Sequence, residues 1–136
     1  WPETVRLAKQ HIADGREVWL VTATPQEIAE VIAERLGLTG GLGTIIERKD
    51  GILTGKLVGE PLHGKAKRKA VLALAKERGI DLRKSYAYSD SVNDLPMLTA
   101  VGNAIAVNPD KALAKYAKAA EWKILDFKKR ELRANK

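Results

Sequence analysis

Strand-like runs alternate with helix-periodic segments along nearly all of this 136-residue chain, and that alternation restricts the fold more than any single motif. Glu3 to Ala13 carries Val5, Leu7, Ala8 and Ile12 at helical spacing and stops at Asp14-Gly15. Val18 to Val21 is apolar at every position, as buried parallel strands tend to be. Thr24-Pro25-Gln26-Glu27 has the form of a capping box with proline at the first helical position. It predicts a helix through Ile28, Val31, Ile32 and Leu36, closed by Gly37. Thr44 to Arg48, the turn Lys49-Asp50-Gly51 and Ile52 to Val58 predict a β-hairpin. A third helix runs from Gly64 to Arg78, followed by a strand over Ser85 to Ser89 and a short helix around Asp94 to Ala100. A strand over Ala104 to Val107, a helix from Pro109-Asp110 through Ala120 and a last strand within Trp122 to Phe127 complete the pattern. The expected fold is α/β: a doubly wound, mainly parallel Rossmann-like sheet with helices on both faces and a small hairpin insertion.

A composition of 45% hydrophobic and 30% charged residues excludes a disordered or fibrous chain. No apolar run approaches the ~18 residues of a membrane-spanning helix. The absence of cysteine excludes disulfides, thiolate metal sites and cysteine nucleophiles, and suits a reducing, cytoplasmic setting. The net charge of +7 admits nucleic acid, anionic membranes or phosphorylated small molecules as partners. Much of it lies at the end, where Lys128, Lys129, Arg130, Arg133 and Lys136 face only Glu131. Phe127 is the sole aromatic beside that cluster, so no stacking platform for single strands is present and nucleic acid is disfavoured. The expected organisation is a core domain over residues 1–127, with the hairpin at about 44–58, and a solvated basic tail over 128–136.

Open parallel sheets bind ligands beyond the carboxyl ends of their strands. Thr22 follows directly on Val18–Val21, where its hydroxyl can donate to an anion or bond within a turn. Lys67 heads the apolar stripe of its helix, on the same side as Ala70, Val71 and Leu74, while Lys65 and Lys69 point away. Its first turn lies over the carboxyl edge of the sheet; Lys65, Arg68 and Lys69 read as solvated. Ser89-Asp90-Ser91-Val92-Asn93-Asp94 follows the Ser85–Ser89 strand. Two carboxylates four apart there form a hard-oxygen site suited to Mg²⁺. Capping of the next helix could account for Asn93 or Asp94 but leaves Asp90 unexplained.

In this order, Val18-Trp19-Leu20-Val21-Thr22, Ala66-Lys67, and Tyr86-Ala87-Tyr88-Ser89-Asp90-Ser91-Val92-Asn93-Asp94 resemble the haloacid dehalogenase superfamily of phosphohydrolases, in its phosphoserine-phosphatase-like branch. The hairpin Lys49-Asp50-Gly51-Ile52-Leu53-Thr54-Gly55 resembles the one this branch carries between its second and third motifs. The resemblance implies that Thr22 bonds the transferring phosphoryl group and that Lys67 neutralises its charge. It further implies that Asp90 ligates Mg²⁺, that Asp94 supports the metal and orients Lys67, and that Asn93 touches the substrate. Ser89 and Ser91 stand where many relatives have glycine, so phosphoserine is not carried over as the substrate. The family's nucleophile belongs to an Asp-x-Asp motif at the end of a first strand, and no Asp-x-Asp occurs here. The expectation is therefore a C-terminal part of a Mg²⁺-dependent phosphomonoesterase, lacking the first strand, the nucleophile and the helical cap, and inactive alone. The missing strand would lie between those bearing Thr22 and Asp90, supplied by the rest of the protein or by exchange between copies in a homo-oligomer. An anion-sensing module or pseudoenzyme, and a basic-tailed protein that associates with nucleic acid or membrane, are the alternatives.

Overall fold

The computed structural model describes residues 2–127, so the basic tail at 128–136 lies outside the described residues. The chain gathers into two compact units, one up to Ala66 and one from Lys67 onward.

The first unit holds α1 (Pro2–Ala13), β1 (Trp19–Pro25), α2 (Gln26–Leu36), β2 (Gly40–Thr44), β3 (Ile46–Lys49) and β4 (Ile52–Leu57). β1 and β2 pair in parallel, while β3 and β4 form the antiparallel hairpin. Asp50 and Gly51 both take positive φ, 55° and 79°, as a two-residue hairpin turn that follows strand twist requires. β2 was not anticipated, because Gly40-Gly41-Leu42-Gly43-Thr44 has little intrinsic strand preference. Its glycines answer to space instead. A Cβ on Gly41 would sit 2.6 Å from the Ala29 carbonyl oxygen, so the strand passes directly under the backbone of α2. Ala29 and Ala33 are the helix's buried residues. Thr44, expected to open the hairpin, is instead the last residue of β2.

The start of α2 also differs from expectation. Pro25 is the N-cap, with no side-chain capping bond, and β1 runs on to that proline. The Thr24 capping box is therefore not formed. The Glu27 carboxylate turns to its own backbone N–H and to Arg48, 3.1 Å away on β3. The end of the helix is as expected, with Gly37 at φ 72° donating to Ala33 and Glu34 carbonyls.

The second unit holds most of α3 (Lys65–Arg78), then β5 (Tyr86–Ser89), α4 (Leu95–Leu98), β6 (Asn103–Val107), α5 (Lys111–Ala119) and β7 (Lys123–Leu125). β5, β6 and β7 form a parallel sheet in that order. Its core is Ala87, Ala104, Ala106, Leu98, Leu113 and Ala117, with Val92, Leu95, Val101, Trp122 and Ile124 packed around it. Small side chains on the strands leave room for the larger leucines of α4 and α5. Asp110, predicted near the start of α5, is its N-cap and accepts from the Leu113 N–H at 2.7 Å. The fold is α/β with parallel sheets, and β1 and β5 each have a hydrogen-bonded neighbour on one side among the described residues. No helix among those residues is long and apolar enough to cross a membrane.

Candidate active site

In the second unit, the end of β5 gathers four of the predicted residues. Ser89 closes the strand and is buried, Asp90 is exposed, and a 3-10 turn over Val92–Asp94 leads straight into α4. Asp94 is buried, and each of its oxygens has a partner. Lys67 Nζ lies 2.9 Å from Oδ1, with both side chains only 12% exposed. Ser89 Oγ donates to Oδ2 at 2.5 Å. The Lys67 side chain therefore aims as its place on the helical stripe predicted, and its charge is matched at close range. Such a pair is costly to break from one side, because the partner charge stays buried and uncompensated.

Ser89 was not singled out as a site residue, yet it does two things. While donating to Asp94 it accepts the Ser91 N–H at 3.2 Å, which bends the chain away from β5 immediately after Asp90. Ser91 in turn caps the 3-10 turn by accepting the Asn93 N–H at 3.2 Å. Ser91 thus caps the 3-10 turn, while Asp94, at the N-cap position of α4, makes no side-chain capping bond there. Asn93 is exposed. Arg68, expected in solvent, instead donates to the Pro96 carbonyl at 3.0 Å and to Thr99 Oγ at 3.3 Å, tying α3 to the end of α4. A basic side chain near helix carbonyls is a favourable partner, and this is a use that spacing alone does not reveal.

Thr22 belongs to the first unit. The pairing of β1 and β2 passes from Val21↔Leu42 to Pro25↔Thr44, so Thr22, Ala23 and Thr24 bulge outward opposite Gly43 alone. Side chains satisfy the backbone groups this leaves over. The Gln26 amide donates to the Gly41 carbonyl at 2.8 Å and accepts the Gly43 N–H at 2.6 Å. Thr44 Oγ donates to the Ala23 carbonyl at 2.7 Å and accepts the Leu62 N–H at 2.9 Å. Thr22 Oγ accepts the Thr24 N–H at 3.3 Å, the turn bond that competed with anion binding in the sequence. The two uses are compatible, because an accepting hydroxyl keeps its proton to donate. Gln26 and Thr44 were missed, since nothing in the sequence announces a bulge.

The donor chemistry suits a hard dication. Asp90 and Asp94 offer carboxylate oxygens, and Mg²⁺ commonly takes one or two carboxylates while keeping waters and phosphate oxygens. Among the described residues no three His, Cys, Asp or Glu side chains converge. Both Asp94 oxygens are engaged, by Lys67 and by Ser89, whereas Asp90 is exposed.

The family model described as haloacid dehalogenase-like hydrolase matches residues 1–99. The chain belongs to that family. It is 53% identical over 128 residues to a phosphoserine phosphatase of Mycobacterium tuberculosis, covering 94% of this chain and 42% of that relative. A protein of unknown function from Bordetella pertussis Tohama I superimposes with a TM-score of 0.85 at 36% identity, over 93% of this chain and 58% of the other. A substrate-bound phosphoserine phosphatase complex gives a TM-score of 0.71 at 29% identity, over 89% and 56% of the two chains. The chain thus spans less than half the length of the curated relative it matches at 53% identity. These similarities extend to phosphatase-like relatives of the haloacid dehalogenase-like hydrolases.

Proposed function

We propose that this chain is the C-terminal part of the catalytic domain of a Mg²⁺-dependent phosphomonoester hydrolase. The observation that carries the reading is the Lys67 ammonium held against Asp94 at 12% exposure, at the strand end that also presents Asp90. Phosphoryl transfer asks mainly for positioning and for charge placed where the transferring group sits. An ammonium has three donors. One is directed to Asp94, and the others are available for a phosphoryl oxygen. Asp94 and Ser89 fix where that ammonium stands, so little reorganisation is needed when the substrate arrives. In this reading Thr22 donates its hydroxyl proton to the phosphoryl group and exposed Asn93 meets the substrate. Mg²⁺, held directly by Asp90 and supported by Asp94, would supply a Lewis acid for the phosphoryl oxygens.

The attacking carboxylate lies outside these 136 residues, because the sequence contains no Asp-x-Asp. It would come from the remainder of the protein, form the aspartyl-phosphate and release it to water. The phosphoserine phosphatases among its relatives support the reaction class, phosphomonoester hydrolysis.

The test is phosphate release from an aryl phosphate by the full-length protein with and without Mg²⁺. Hydrolysis is expected to require Mg²⁺ and to fall by about a hundredfold or more in Asp90→Asn. The 136-residue chain alone is expected to release none. Undiminished hydrolysis by the Asp90→Asn protein would remove Asp90 from the site. Mg²⁺-dependent turnover by the chain alone would overturn the external nucleophile.

A further inference from the structure

We infer that Asp110, at the start of α5, is the positioning residue of the Asp90 loop. Besides the helical bond that its carbonyl accepts from the Ala114 N–H, three hydrogen bonds meet at this one residue. Its Oδ1 accepts the Leu113 N–H at 2.7 Å, the ordinary work of a helix N-cap. Its Oδ2 accepts the Val92 N–H at 3.1 Å. Its own backbone N–H donates to the Asp90 carbonyl at 2.9 Å. A cap needs only the first. The other two run to the loop after β5, gripping it on either side of Ser91.

The geometry explains why an acid stands there. A serine, threonine or asparagine caps a helix about as well as aspartate, but each offers a single acceptor oxygen at the side-chain tip. A carboxylate has two such oxygens, and Asp110 takes the N–H of α5 on one and the N–H of Val92 on the other. The result is a bridge from the first turn of α5, which is anchored in the core through Leu113, to the backbone that carries Asp90. Ser89 bends the same loop from its other end through the Ser91 N–H. Asp90 itself is exposed, so its backbone is fixed by these two neighbours and not by burial. The Asp110 carboxylate therefore acts through the loop and touches neither substrate nor metal.

The link to catalysis rests on the proposed phosphohydrolase reading; the bridge itself does not. The bonds separate by substitution. Asp110→Ser keeps an N-cap oxygen and the backbone N–H to Asp90, and loses only the bond to Val92. Asp110→Ala loses both side-chain bonds. Both are made in the full-length protein and measured by amide hydrogen exchange, thermal melting and Mg²⁺-dependent aryl phosphate hydrolysis.

The Asp110→Ser protein is expected to melt close to the wild type. Its Val92 amide should exchange about tenfold faster or more, as loss of a charge-assisted bond requires. Its kcat should fall, or its half-saturating Mg²⁺ rise, by about tenfold, and Asp110→Ala should add a loss of melting temperature. Unchanged Val92 exchange in Asp110→Ser overturns the bridge. Faster exchange with unchanged kcat and Mg²⁺ requirement overturns the positioning role while leaving the phosphatase reading intact. If the wild type itself hydrolyses no phosphomonoester, that reading fails and the positioning role falls with it; the exchange measurement then still decides the bridge.

Discussion

Lys67 and Asp94 form the most consequential pair of side chains in the second unit, and their value is asymmetric. Together they are neutral and well bonded; separately each is a charge with little water around it. Lys67→Met keeps the length and the apolar stem but removes the charge, leaving Asp94 bonded to Ser89 without a countercharge from Lys67. Breaking one side of a buried pair typically costs about 3–5 kcal/mol. A chemical denaturation midpoint lowered to match is the expected result for Lys67→Met, with the slope unchanged. The double substitution Lys67→Met with Asp94→Leu should recover much of that loss, since two apolar groups leave no orphan charge. A double variant as unstable as the single one would mean that packing, not charge, holds this corner. Asp90 is different. It contributes little burial, so its replacement should leave stability nearly unaltered while removing the proposed function.

At the scale of elements, the sequence makes most boundaries legible because their signals are local. Gly37 closes α2, Asp50-Gly51 turns the hairpin and the apolar stripe of α3 aims Lys67. What it hides is set by tertiary contact. β2 is glycine-rich because a helix backbone lies against it, and no propensity scale sees that helix. The capping box at Thr24 fails because β1 continues through a bulge to Pro25, carrying Thr24 into the strand. Gln26, Thr44 and Asp110 gain their roles from partners far along the chain, so spacing could not find them, whereas Ser89 gains its role from the local turn it makes with Ser91 and Asp94. Gly41 gives the expected outcome at this scale. In Gly41→Ala the new methyl would meet the Ala29 carbonyl oxygen at 2.6 Å and its carbon at 2.8 Å, both backbone atoms. The helix must shift, at a cost of about 1–3 kcal/mol. Adding Ala29→Gly should not restore stability, because the Ala29 backbone remains. A rescue by that second change, read from denaturation midpoints, would show that the side chains alone were in conflict.

Across the whole molecule, two titrating groups of the first unit point to the same response to acid. Burial, reinforced by the positive charge of Arg16, lowers the pKa of His11 from its ordinary 6.5, against a smaller opposing effect of Asp14. The Glu27 carboxyl lies below its ordinary 4.5, chiefly through its own backbone N–H and then through Arg48. Each group binds its proton less readily folded than unfolded, so stability rises with pH through both windows. The His11 contribution is complete above 6.5 and is lost as pH falls through the lowered folded value. The Glu27 contribution is complete above 4.5 and goes in the same way further into acid. Melting temperatures from about pH 8 to about pH 3 should decline in acid, and Glu27→Gln should flatten the lower part of that decline. An identical profile in the variant would remove Glu27 from the account. The Lys67–Asp94 contact has a kinetic consequence of its own. Lys67 stands in the first turn of α3 and Asp94 follows β5, so the ammonium meets its carboxylate only after a whole helix has doubled back along a strand. Contacts between distant parts of a chain wait for loop closure and form late. A half-folded chain therefore presents these two charges apart, and their joining would mark a late step of assembly.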